Sequence, residues 1–314
     1  MEIKMKKTNI SALLLAALLL IQLLCAPVSA VTAEPAADAQ ADAQTASDNS
    51  AGDASAEADS VPEDQLLSSR EQFSVAAKAA LLIDLNTNRV VYEQDADERV
   101  YPASLTKIMT CLIALENGNL SDVVTVSESA LADLDEDSSV AGLVVGEQMT
   151  LENLLYCMMV VSGNDACNVI AEHVAGSVTD FVRMMNQRAY ELGCTNTHFN
   201  NPHGLHDESH YTTARDLAII TQAALKSENF RQIVDTYEYK LPDDNMRQNI
   251  PKLKTTNMLI YQSMSNSLYY PRAHGIKTGY TSQAGRCVIS EATGDGLDLL
   301  GIVCGAATTV LDSG

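Results

Sequence analysis

This 314-residue chain has no tryptophan and four phenylalanines, so its 46% apolar content is carried largely by aliphatic and small residues. Basic residues are scarce as well: 20 lysines and arginines stand against 41 acidic residues, a formal charge of −21. Without a basic stripe to neutralise phosphates, the composition argues against a nucleic-acid partner. No two cysteines stand at C-x-x-C spacing, which removes the usual zinc and dithiol motifs. The apolar run at residues 10–24 falls short of the ~20 residues that a membrane-spanning helix needs.

What that run does fit is a leader. Lys4, Lys6 and Lys7 precede it, and Val28-Ser29-Ala30 follows as a small-residue cleavage site, so residues 1–30 read as a secretory signal and the mature chain is expected to begin at Val31. That places the protein outside the cytoplasm, in the cell wall or on the outer face of the membrane. Cys25 follows Leu24 rather than a small residue, which argues against a lipoprotein anchor. Residues 31–72 hold ten acidic residues against the single basic Arg70 and show no apolar periodicity, the pattern of a self-repelling, disordered linker. The folded part is then 73–314, with 16 basic and 30 acidic residues and a formal charge of −14. Its cysteines (Cys111, Cys157, Cys167, Cys194, Cys287 and Cys304) sit mostly inside apolar runs. They are expected to be buried and reduced, with no disulfide framework.

Local patterns then place the elements. Residues 77–84 and 89–93 read as a hairpin around Asn86-Thr87-Asn88. A helix begins near Ser104 and ends at Asn117-Gly118, apolar on nearly every face and therefore central. A short strand at 123–126 and an acidic excursion at 133–139 precede a helix opening at Thr150. Further helices open at Asp165, Ser177 and Thr213 and surround Phe230. Residues 274–281, 286–292 and 297–306 read as antiparallel strands, the last two joined by Gly294-Asp295-Gly296, while 237–241 and 255–259 are expected to line the sheet or its rim. His203, His206, Asp207 and His210 crowd together but match no zinc signature, so they are read as a polar surface loop and no metal is expected.

Three short motifs carry chemistry. In Ser104-Leu105-Thr106-Lys107 the two polar residues share one helix face, with Cβ atoms about 5–6 Å apart. A lysine buried there loses its preference for the charged form and can act as the base that activates a serine nucleophile. The plainer reading is an N-cap serine followed by a solvated lysine. In Ser162-Gly163-Asn164, a tight loop between two apolar helices, both polar side chains can point into one cavity; the plainer reading is a turn with a capping residue. In Lys277-Thr278-Gly279-Tyr280, on a strand, the glycine admits a close backbone approach and the lysine offers a cation suited to a carboxylate. Here the plainer reading is a solvated lysine beside a bulge glycine.

With these three motifs in order, the chain resembles the penicillin-binding D-alanyl-D-alanine carboxypeptidases, serine peptidases of low molecular mass (peptidase family S11). Asn201-Pro202-His203-Gly204-Leu205, Tyr211 to Leu217 and residues 150–175 resemble the family too, and the likeness covers roughly 75–306. It implies an α+β fold of the β-lactamase/transpeptidase kind: a five-stranded antiparallel sheet flanked by helices, beside an all-helical subdomain. It also implies roles. Ser104 would be acylated by the penultimate D-alanine of a peptidoglycan stem peptide, or by a β-lactam, with Lys107 as base and no cofactor. Ser162 would relay a proton and Asn164 would hold Lys107 and the substrate amide. Lys277 and Thr278 would bind the terminal carboxylate beside Gly279, and the N–H groups of Ser104 and Tyr280 would form the oxyanion hole.

The family continues beyond the strand at 297–306 with a final helix, often a second β-rich domain and an amphipathic membrane helix. This sequence stops at Gly314. It is therefore expected to be a fragment or a short member, and membrane attachment stays open. Other readings are a D,D-endopeptidase using the same residues, a class A β-lactamase, for which no deacylating glutamate is evident between Ser162 and Lys277, and a non-catalytic wall-binding module.

Overall fold

Period-two alternation builds the sheet. Strand β1 (Ala79–Asp84) sends Leu81 and Ile83 into the main core, while Leu82 packs on the opposite face with Leu299. It pairs with β2 (Arg89–Gln94) as the expected hairpin. These elements come from a computed structural model that describes residues 74–307 apart from 133, 135–137 and 264. The expected leader (1–30), the linker (31–72) and most of the acidic excursion at 133–139 lie outside the described residues.

The C-terminal strands β7 (Ala273–Thr281), β8 (Gly285–Gly294) and β9 (Leu297–Ala306) complete an antiparallel sheet of order β2-β1-β9-β8-β7, so that first and last strands meet at its centre. This is the five-stranded α+β architecture expected above. The segments at 237–241 and 255–259 do not join it. Glu238–Tyr239 (β5) pairs instead with Leu253–Lys254 (β6) in a separate ribbon, and 255–259 runs along the rim, where Thr256 meets Thr278. Val123–Thr125 (β3) and Gln148–Thr150 (β4) form another two-stranded ribbon.

Helix α1 (Lys107–Asn117) is buried from Lys107 to Ala114 and packs against the helices Leu151–Val160 (α3), Asn164–Ala175 (α4), Val178–Glu191 (α5), Ala214–Ala224 (α6) and Glu228–Val234 (α7). The short α2 (Glu128–Ala132) lies against α4. Thr150, Ser177, Thr213 and Ser227 each accept a hydrogen bond from the N–H three residues on, which is why these helices start where they do. Gly118 ends α1 at the expected place, without a left-handed conformation. Its φ is −103°, and a Cβ there would meet Leu151 Cδ2 at 2.4 Å and Ala114 O at 2.9 Å. All six cysteines expected to be buried are buried and free.

One carboxylate of the sheet is held against its nature. Burial, and then the neighbouring Glu291, push Asp298 up to about 6 from an ordinary 3.8. A carboxyl whose affinity for the proton rises on folding weakens the fold as pH climbs from about 4 to about 6, and the loss is complete above that. Asp298→Asn is therefore expected to raise stability at pH 7 by about 1 kcal/mol, after discounting for the solvent still reaching the group, and to change nothing near pH 4. Denaturant midpoints of both proteins at the two pH values measure this.

Candidate active site

Ser104 sits in a single 3-10 turn (Ala103–Thr106) that runs directly into α1, one turn ahead of Lys107. Ala103 takes φ +47°, in the left-handed region that residues other than glycine rarely occupy. The turn is braced from both sides. Under it, Gly204 approaches so closely that a Cβ would lie 1.8 Å from Ala103 O, and its own φ is +92°. Beside it, Gly279 of β7 comes close enough that a Cβ would lie 3.0 Å from Ser104 N. The close approach that Gly279 permits is thus to the chain's own serine turn. Gly204→Ala is expected to destabilise the protein by about 2–4 kcal/mol, since it combines strain with an overlap of backbone atoms, and to slow any reaction of Ser104. Denaturant unfolding and serine-labelling rates on the same variant report both effects.

Lys107 is fully buried. Its Nζ reaches Asn164 Oδ1 at 2.7 Å, the His203 carbonyl at 2.8 Å and Ser104 Oγ at 3.0 Å. The first two partners can only accept. A neutral amine that spends its two N–H bonds on them is left with its lone pair directed at the serine hydroxyl. Burial favours that neutral form and lowers the lysine below its usual range, against the opposing influence of Cys167 and Asp165. Ser162, buried at the turn between α3 and α4, donates from its hydroxyl to Ser104 Oγ at 3.0 Å. It too is strained, with φ +64°. Ser104 Oγ therefore lies between two side chains able to carry its proton.

The strand motif stands on the opposite wall. Lys277 is 1% exposed and donates to the Thr278 carbonyl at 2.9 Å; burial, and then the charge of Lys107, hold it well below its ordinary value. The plainer reading of a solvated strand lysine does not hold, because packing covers this face of the strand. Thr278 Oγ1 is 2.7 Å from Thr256 Oγ1, and Tyr280 is exposed. All eight residues singled out from the sequence, Ser104, Lys107, Ser162, Asn164, Lys277, Thr278, Gly279 and Tyr280, lie on the 3-10 turn and α1, the Ser162–Asn164 turn and β7.

The histidine loop is not a polar surface loop. His203 and His210 are buried, and burial lowers them to about 3 and about 4, so both rings are neutral. His210 Nε2 meets Thr106 Oγ1 at 2.9 Å, and Thr110 donates to the Pro202 carbonyl at 2.6 Å, stapling the loop to the back of α1. His206 does stay exposed, its ring edge-on to Tyr101. Sequence reasoning missed the His203 carbonyl and the Gly204 brace. The Asn-Pro-His-Gly string was the available signal, but nothing in it says that a backbone oxygen faces a lysine 96 residues earlier.

Comparison with known proteins gives a consistent picture. The family model described as D-alanyl-D-alanine carboxypeptidase matches residues 66–308. The D-alanyl-D-alanine carboxypeptidase DacF of Bacillus subtilis (strain 168) is 40% identical over 240 residues, covering 74% of this chain and 58% of DacF. DacA of Haemophilus influenzae is 36% identical over 241 residues, with the same coverage of 74% and 58%. This chain thus spans 58% of the length of these two relatives. Among solved structures, the Streptomyces K15 DD-transpeptidase superposes with a TM-score of 0.68 at 31% identity, covering 75% of this chain and 92% of that one. Penicillin binding protein 5 from Haemophilus influenzae gives 0.66 at 34% identity, covering 75% and 67%.

Proposed function

Because the chain belongs to the D-alanyl-D-alanine carboxypeptidase family, we propose that residues 73–314 form an exported serine D,D-carboxypeptidase domain that removes the terminal D-alanine from peptidoglycan stem peptides through an acyl-enzyme on Ser104. The observation that carries this reading is the pair of hydrogen bonds at Ser104 Oγ, shared with a buried lysine on one side and a strained serine on the other, each at 3.0 Å.

In this reading Lys107 takes the hydroxyl proton as Ser104 Oγ attacks the carbonyl of the penultimate D-alanine. The oxyanion that forms is met by the backbone N–H groups of Ser104 and Tyr280, and Gly279 lets β7 come close to the serine turn that carries the first of them. Ser162 passes a proton to the departing amine, and the C–N bond breaks. Asn164 keeps Lys107 aimed and receives the substrate amide. The substrate's terminal carboxylate lies against Thr278 and Lys277. A carboxylate arriving beside a buried lysine favours the ammonium form of Lys277, which in turn holds that carboxylate. Water then hydrolyses the ester. A β-lactam carries the same carboxylate and a strained amide, and would acylate the same serine.

The test uses the full chain with a fluorescent penicillin and, separately, a synthetic peptide ending in D-Ala-D-Ala. Covalent labelling together with D-alanine release supports the reading. A folded protein that neither labels nor releases D-alanine would be the wall-binding module instead, and one that releases no free D-alanine but opens crosslinked stem-peptide dimers would be an endopeptidase.

A further inference from the structure

Asp165 follows directly on the Ser162–Asn164 turn and belongs to none of the three motifs. It is 2% exposed. Its Oδ1 accepts from the N–H groups of Ala141 and of its own neighbour Ala166, both at 2.9 Å. Its Oδ2 accepts from Gly142 at 2.9 Å and Leu143 at 3.0 Å. Three consecutive amides of one loop thus converge on one carboxylate, a nest that a neutral side chain of the same shape could not satisfy. Asn164 N, in turn, donates to the Ser139 carbonyl of the same loop at 2.8 Å.

Two further features fit this seat. Gly163 has no room for a side chain: a Cβ there would lie 2.8 Å from Asp165 Oδ1 and 3.1 Å from both Ala141 N and Ala141 Cβ. The far side of the loop is tied independently, by Arg247 donating to the Gly142 carbonyl at 2.9 Å while it pairs with the buried Glu147. The strained Ser162 backbone is therefore held from Asp165 outward.

The carboxylate also acts on Lys107. Facing that amine are the Ser104 hydroxyl, Asn164 and the His203 carbonyl. The titratable groups coupled to it electrostatically are Lys277, Cys167, Asp165, His203 and His210. The Cys167 thiol is pushed up to about 12 and stays neutral, as do His203 and His210. Asp165 is the carboxylate of this group, and it favours the ammonium form of Lys107.

Resting on the acyl-enzyme reading above, we propose that Asp165 is a positioning residue for acylation: seated in the amide nest of residues 141–143, it holds Ser162 and Asn164 in register with Lys107, and its carboxylate acts on that lysine from the nest. The two parts of the role have opposite signs. Losing the seat slows acylation by misplacing the groups around Ser104. Losing the charge makes Lys107 give up its proton more readily, which moves the rising limb of the rate profile to lower pH.

The experiment measures the rate of acylation of the full chain by a fluorescent penicillin from pH 5 to 10, for Asp165→Asn and Asp165→Glu, with thermal unfolding as the check on folding. The asparagine variant is expected to acylate at least about ten-fold more slowly on the plateau and to show its rising limb about one unit lower in pH. The glutamate variant, which keeps the charge but misfits the nest, is expected to be slowed with its limb unmoved. Wild-type rates and limbs in folded variants overturn the proposal, as does a slowed asparagine variant whose limb has not moved. If the asparagine variant does not fold, the glutamate variant decides: a slowed rate with the wild-type limb supports the proposal, and a wild-type rate overturns it. An unlabelled wild-type protein, or labelling that survives Ser104→Ala, overturns the acyl-enzyme reading and this proposal with it, whereas the variant outcomes above overturn this proposal alone.

Discussion

Ser104→Ala is expected to abolish covalent penicillin labelling and to lower D-alanine release by on the order of 10⁴-fold or more, with the fold unchanged. The size of the effect follows from the geometry. Lys107 and Ser162 both converge on Ser104 Oγ at 3.0 Å, so removing that atom leaves the proposed base and proton relay with nothing between them. The fold should survive because the hydroxyl supports no backbone group; the turn is held by Gly204 and Gly279. Labelling followed by denaturing electrophoresis, with circular dichroism on the same sample, is the measurement. A folded alanine variant that still labels would move the nucleophile to another residue.

Lys107→Arg is expected to fall within about ten-fold of Lys107→Ala, both several orders of magnitude below wild type. Arginine keeps a positive charge but does not deprotonate in a protein, so it can replace a cation and cannot replace a base. Burial already lowers Lys107 below its usual range. The wild-type acylation rate should therefore rise with pH through this lowered value and reach its plateau well below the pH that a solvated lysine would require. The arginine variant should show no such limb. A robustly acylated arginine variant would reduce Lys107 to an electrostatic role. Because its Nζ is fully buried among two carbonyl oxygens and a hydroxyl, a bulkier guanidinium also strains the site. Folding must therefore be verified before the rates are compared.

The parts of this molecule that could be read from the chain are those set by short-range rules. Short runs of strand-forming residues punctuated by turns, at Asn86-Thr87-Asn88 and at Gly294-Asp295-Gly296, placed β1, β8 and β9. The apolar circumference of 107–117 announced a central helix, and a threonine or serine ahead of each amphipathic run marked where α3, α5 and α6 begin. Ser104 and Lys107, three residues apart, meet by helix geometry alone. The remaining partners are separated by tens to hundreds of residues, and no local rule brings them together. That Lys107 donates to the carbonyl of His203, 96 residues away, that Gly204 and Gly279 yield their space to the serine turn, and that the histidine loop packs behind α1 are outcomes of packing. The state of Lys277 is of the same kind. How far its affinity for the proton falls depends on how completely the surrounding elements exclude water, a property of the folded interior that the residue's neighbours in sequence do not contain.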